Sequence, residues 1–144
     1  MPEGPPAVVF VDTSAWVAAA NVSDSRHGSV QELLTQLRQH GTRLVTTNFV
    51  LAETYTLIRR YLDHTKAVAF HDDVVEAAVD PRVLDVQWAS RWDESAAWEI
   101  FKKCDDKSFS YVDCVSFAVM KRLGLRDALA CDRHFVEYLS LIHI

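Results

Sequence analysis

Hydrophobic positions come along this chain in short blocks that alternate between two periods. Residues 7–11, AVVFV, are an unbroken run of β-branched and aromatic side chains, the pattern of a parallel strand buried on both faces. A short helix is expected at 15–20, followed by a polar loop at 21–28. Over 29–40, Val30, Leu33, Leu34 and Leu37 share one helical face, and Gly41 stops the helix. Residues 43–46 read as a second strand. In TTNFVLAETYTLIRRYL, Leu51, Tyr55, Ile58 and Leu62 recur at helical spacing, with Thr47 or Asn48 as the N-cap. A helix at 66–78 broken by Pro81, a weaker strand at 83–87 and a helix at 93–104 come next. After a loop at 105–109, SYVDCVSFAVMKRLG is a capped helix closed by Gly124, and 128–131 is a fourth short apolar run.

Strands that alternate with helices need crossover connections, so the expected fold is a three-layer α/β/α domain on a parallel sheet. The length of 144 residues suits one domain with one core, and 49% hydrophobic with 24% charged residues is ordinary globular usage. Residues 1–6, MPEGPP, are Pro-rich and expected to be disordered. No apolar stretch approaches the roughly 20 residues that span a bilayer, and no basic-then-apolar leader is recognisable, so a cytoplasmic location away from membranes is expected. Cys104, Cys114 and Cys131 have no metal-binding spacing and read as reduced thiols in small core positions. The net charge of −5, from 15 basic and 20 acidic residues, argues against a broad basic surface for nucleic acid. That balance misleads if several acids sit together and hold divalent cations.

Four acids fall where such a cluster would form. In open parallel α/β sheets, sites lie beyond the carboxyl ends of the strands. Asp12 ends the first apolar run and Asp132 the fourth. Glu53 lies in the second turn of the helix after the second strand, and Asp113 in the first turn of the helix before the fourth. Each has a plainer reading. Asp12 can cap the helix behind it, Asp113 stands three residues after Ser110 in a capping box, and Asp132 can open a turn. Glu53, flanked by Leu51 and Ala52 and sharing a face with Phe49 and Leu57, is expected to be a buried carboxylate, costly without a cation or hydrogen bonds. Clustered carboxylates repel one another and select hard cations, Mg²⁺ or Mn²⁺, of the kind that assist phosphodiester hydrolysis.

VVFVDTSAW, TTNFVLAETYTLIRR, SFSYVDCVSFAVMKRLG and ALACDRHF resemble, in order, the motifs of PIN-domain ribonucleases, particularly the VapC-type toxins of toxin–antitoxin pairs. The resemblance covers residues 7–138. It implies that Asp12, Glu53, Asp113 and Asp132 are the catalytic, metal-holding acids, with a sheet of four to five strands ordered 3-2-1-4-5. It also implies RNA as substrate, a cognate antitoxin as partner, and a homodimer. Thr13 or Ser14, Thr47 and Ser110 would orient those acids or contact phosphate, and N-capping is an equal alternative for each.

The chain departs from the family in two places. Many members carry Thr or Ser two residues before the fourth acid, where Ala130 stands here. Members also usually close with Gly-Phe and one more edge strand, whereas residues 139–144 match a reading frame of a transposon-end adapter and are expected to be a non-native tail. Trp88, Trp92 and Trp98 can stack on bases, but helix packing is the favoured reading, with Trp98 and Phe101 spaced for a core face. Arg59-Arg60, Lys102-Lys103 and Lys121-Arg122 can grip phosphate or simply face solvent, and His27, His64, His71 and His134 show no ligand spacing. The leading function is an Mg²⁺-dependent endoribonuclease and toxin. The alternatives are a non-catalytic PIN-fold RNA-binding module, or a phosphoryl-transfer domain using Asp12 as acceptor, which leaves Glu53 without a role.

Overall fold

A computed structural model describes residues 4–76, 78 and 80–135. Four strands, β1 (Val8–Val11), β2 (Arg43–Thr47), β3 (Leu84–Gln87) and β4 (Ala128–Leu129), form one sheet in the order β3-β2-β1-β4, and every pairing is parallel. This is the expected order over its first four positions. A fifth strand and the tail at 139–144 lie outside the described residues, as do residues 1–3 of the expected disordered N-terminus. Pro6 is half-buried, and its carbonyl accepts a 2.7 Å hydrogen bond from Thr42 Oγ1.

Helices α1 (Thr13–Ala20) and α2 (His27–Gln39) connect β1 to β2, while α3 (Asn48–Tyr61) and α4 (His64–Phe70) connect β2 to β3. Helices α5 (Arg91–Lys103) and α6 (Tyr111–Leu123) return the chain to β4 on the far side of β1. The first two crossovers step one way along the sheet and the last steps back, so right-handed connections send the two sets of helices to opposite faces. Two aromatic clusters mark those layers. Phe10 and Phe117 meet Phe135 at 6.1 and 5.0 Å between ring centroids, and Phe70 meets Trp16 and Tyr55 at 5.6 and 6.0 Å.

Local chemistry explains where the elements begin and where the sequence-based bounds were short. Asp12 caps α1, so that helix starts at Thr13 rather than 15. Ser90 and Asp93 form a capping box that starts α5 at Arg91 rather than 93. Thr47, not Asn48, caps α3, and α6 ends on Gly124 at φ +68°, the left-handed turn that favours glycine. The helix expected over 66–78 is α4 followed by π-helical turns over His71–Glu76. No helix among the described residues is long and apolar enough to cross a membrane.

One packing expectation fails. Trp98 and Phe101 stand 52% and 40% exposed, with Trp88 and Trp92 more exposed still. Helix α5 buries only Asp93 and Ala97, so the small side chain makes its contact with the core and the aromatics lie outside it, where Trp98 and Phe101 pack on each other and on Tyr111.

Candidate active site

The parallel sheet delivers its acids to one edge because consecutive strands all end there. Asp12 directly follows β1, and its backbone N–H donates to the Leu129 carbonyl of β4 at 3.0 Å. That bond ties the first acid to the strand that leads to Asp132. Asp113 reaches the same edge from the first turn of α6, where it is the third residue of a Ser110 capping box. Asp12 is 2% and Asp113 7% exposed, while Asp132 is half-buried.

Each of these three carboxylates has one oxygen held by the chain. Asp12 Oδ2 accepts from the Ser14 backbone N–H at 3.2 Å and from its Oγ at 2.7 Å. Asp113 Oδ2 accepts from the Ser110 N–H at 3.0 Å and stands 2.8 Å from His134 Nδ1. Asp132 Oδ1 accepts from the His134 N–H at 3.1 Å. The second oxygen of each acid, Oδ1 of Asp12 and Asp113 and Oδ2 of Asp132, takes no hydrogen bond among the described residues. One ligand atom from each of Asp113, Asp132 and His134 lies within 4.8 Å of the others.

The acids outweigh the positive groups around them. Burial, then repulsion from Asp132 and from Asp113, pushes the Asp12 carboxyl up to about 7, against the lowering effect of the Ser14 hydrogen bonds. Burial also raises Asp113, with Asp132 adding to it, although the Ser110 N–H and His134 oppose the shift. No Lys or Arg among the described residues forms an ion pair with any of the three. Arg26 comes near: its guanidinium donates to the Cys131 carbonyl at 2.9 Å, but its ion pair is with Asp24 at 3.2 Å. Free carboxylate oxygens and mutual repulsion fit a divalent cation of the Mg²⁺ or Mn²⁺ class.

Glu53 stands apart. It is half-buried rather than sealed in the core, and it lies on a groove with Phe49, Thr56, Leu57, Arg60 and Val112. It makes no hydrogen bond or ion pair among the described residues and is outside the compact group of Asp113, Asp132 and His134, which does not include Asp12 either, although Asp12 is close enough to Asp132 and Asp113 to feel their charge. The helical face that carries Glu53 with Phe49 and Leu57 opens onto this groove, so the side chain is not enclosed in the core as expected.

The four hydroxyl candidates separate. Ser14 orients Asp12 and also accepts the Cys131 N–H at 2.7 Å, joining the ends of β1 and β4. Ser110 holds Asp113 through the capping box. Thr47 accepts the Val50 N–H as the α3 cap, and the Thr13 hydroxyl faces the Val50 carbonyl at 3.5 Å. Ala130 is fully buried, and Ser14 is the hydroxyl that reaches this end of β4. His134 was missed by ligand spacing. The sequence signal was its place two residues after Asp132, where its N–H closes a turn on that carboxylate. Arg26, 105 residues from the carbonyl it meets, had no such signal. Of the cationic pairs, Arg122 is taken up by Asp93 at 2.7 Å and Lys102 by Glu99 at 3.1 Å. The thiols are free, and burial raises the Cys114 thiol to about 11, which leaves it unreactive.

The PIN domain matches residues 9–138 of the chain. A curated relative from Mycobacterium tuberculosis, the 23S rRNA-specific endonuclease VapC20, is 37% identical over 129 residues, covering 89% of this chain and 92% of the relative. A VapC ribonuclease from Archaeoglobus fulgidus is 30% identical over 119 residues, covering 81% and 72%. The crystal structure of M. tuberculosis VapC20, described as a Sarcin-Ricin loop cleaving toxin, superposes with a TM-score of 0.78 at 35% identity over 90% of this chain and 93% of that one. VapBC2 from Rickettsia felis, bound to a promoter DNA fragment, shares the fold at a TM-score of 0.67 and 13% identity over 95% and 98%.

Proposed function

The chain belongs to the PIN-domain family, among its VapC-type ribonucleases, and we propose that it is an Mg²⁺- or Mn²⁺-dependent endoribonuclease acting as the toxin of a toxin–antitoxin pair. The observation that carries this reading is the set of three acids at one sheet edge, each with one oxygen tethered and one left over. Asp12, Asp113 and Asp132 would hold the cation, with Glu53 as the fourth acid of the proposed set. A divalent cation there supplies Lewis acidity for water activation and for screening the phosphate charge.

The chain's own residues do the rest. Ser14 and Ser110 fix the rotamers of Asp12 and Asp113, so little ordering is needed when the cation arrives. Burial places the attraction of these carboxylates for a cation in a low dielectric, where it is stronger than in water. Arg26, bonded to the carbonyl next to Asp132, places a positive charge at the rim where a phosphate backbone would lie. RNA as substrate is supported by relatives named for ribonuclease activity. A cognate antitoxin, a homodimeric assembly and a cytoplasmic location complete the proposal, as do residues 7–138 as the functional domain followed by a non-native tail at 139–144.

The test is cleavage of a structured RNA by the purified protein with Mg²⁺, Mn²⁺ or EDTA. Cleavage that needs the cation and vanishes in Asp12→Asn, with the fold retained by circular dichroism, is the expected result. RNA binding without cleavage under every metal condition would favour the non-catalytic module instead.

A further inference from the structure

The site contains a residue that acts on two of its acids at once. The His134 backbone N–H donates to Asp132 Oδ1 at 3.1 Å, while its ring Nδ1 is 2.8 Å from Asp113 Oδ2. The opposite ring nitrogen, Nε2, is 3.1 Å from Ser108 Oγ, and the Phe109 ring stands edge-on to the imidazole at 5.6 Å. The imidazole is thus held at both nitrogens and on a flank. Asp113 Oδ2 accepts from the Ser110 N–H as well, so it faces His134 as an acceptor. In the neutral ring that puts the proton on Nδ1 and leaves Nε2 to accept from the Ser108 hydroxyl.

We propose that the His134 side chain is a positioning group that aims the free oxygen of Asp113 at the divalent cation without ligating the cation itself, while the backbone N–H at this position holds Asp132. The inference rests on the metal-dependent reading above. With Oδ2 held by two donors, Asp113 presents Oδ1 to the cation. The turn closed by the His134 N–H leaves Asp132 presenting Oδ2. Nδ1 cannot donate to Asp113 and ligate metal at once, and Nε2 is turned to Ser108. Outer partners of this kind, which orient a ligand, commonly account for 10- to 100-fold in metal affinity.

Two amide replacements separate the possibilities by shape. In His134→Asn the side-chain N–H₂ falls close to the place of Nδ1 and can still donate to Asp113. In His134→Gln it falls close to Nε2 and meets Ser108 instead. Calorimetric titration of Mg²⁺ and Mn²⁺ alone into the full chain is expected to show about 10- to 100-fold weaker binding for His134→Ala and His134→Gln, with most of the affinity restored in His134→Asn. At saturating metal, RNA cleavage by the Ala variant should recover most of its kcat, because the loss lies in aiming Asp113.

Equal affinities for the Ala, Gln and Asn variants, or all three equal to wild type, would overturn the positioning role. So would nitrogen hyperfine coupling from the ring in the spectrum of bound Mn²⁺, which would make His134 a ligand. If wild type itself binds neither cation, the metal-dependent function fails and this inference falls with it, a result distinguishable from wild type that binds and variants that match it.

Discussion

Helices α5 and α6 open with the same local motif, and the two copies do opposite work. In α5 the Asp93 N–H donates to Ser90 Oγ at 3.1 Å and the Ser90 N–H to Asp93 Oδ2 at 2.9 Å. In α6 the matching bonds between Asp113 and Ser110 are both 3.0 Å. Both aspartates are buried, 3% and 7% exposed. Their surroundings differ. Asp93 receives Arg122 on both oxygens, Nε at 2.7 Å and Nη2 at 3.1 Å. Burial pushes Asp93 upward, but the Arg122 guanidinium and the cap outweigh it and hold the carboxyl below its ordinary range. Burial, with Asp132 adding to it, raises Asp113, and no guanidinium among the described residues offsets it. A capping box therefore fixes the geometry of a carboxylate and leaves its function to the charge that meets its remaining oxygen.

The largest expected difference between the two is in catalysis. Asp113→Asn should lower RNA cleavage by about 10³-fold, a loss of the size seen when one group that stabilises developing charge is removed. Asp93→Asn should leave kcat within a few-fold, measured at saturating Mg²⁺. For stability the order reverses in EDTA. Asp93→Asn should cost about 1–2 kcal/mol through its charged hydrogen bonds, discounted because Arg122 is 42% exposed, whereas Asp113→Asn should be neutral or stabilising. Comparable losses of cleavage in both variants would dissolve the distinction.

The pH dependence of stability should also carry opposite signs. Asp12 has a folded pKa of about 7, raised from 3.8, so between those values the folded state binds the extra proton. Its contribution therefore falls as pH rises from about 4 to 7, by roughly 4 kcal/mol at most. Asp93, held low, contributes stability above its unfolded pKa and loses it as pH falls through the folded value. Thermal melts in EDTA from pH 4 to 8 should show Asp12→Asn removing the decline toward neutral pH, and added Mg²⁺ should reduce that decline in wild type. A wild-type curve that parallels Asp12→Asn would remove the electrostatic basis of the site.

The smallest effect is the one in which the helices should agree. Ser90→Ala and Ser110→Ala each remove only the cap acceptor and should each cost about 1 kcal/mol, read by urea unfolding. A much larger loss at one of them would mean that the cap is not a local interaction there.

The sequence by itself determined the order of elements, the parallel sheet and the carboxyl-edge location of Asp12, Asp113 and Asp132, because period, capping residues and strand ends are local signals. VVFV had to be buried on both faces, and a chain that returns in parallel brings every strand end to one edge. The Ser14 contact to Asp12 also lay within reach of the sequence, since a hydroxyl two residues after that acid was already a candidate for orienting it, whereas its contact to the end of β4 did not. Tertiary structure alone decided which aspartate met Arg122 and which met other acids, that Glu53 opened onto a groove, that Trp98 and Phe101 faced outward, and that His134 reached Asp113 across 21 residues. Those outcomes depend on the electrostatic and steric company a side chain meets after the layers pack, and no local spacing encodes that company.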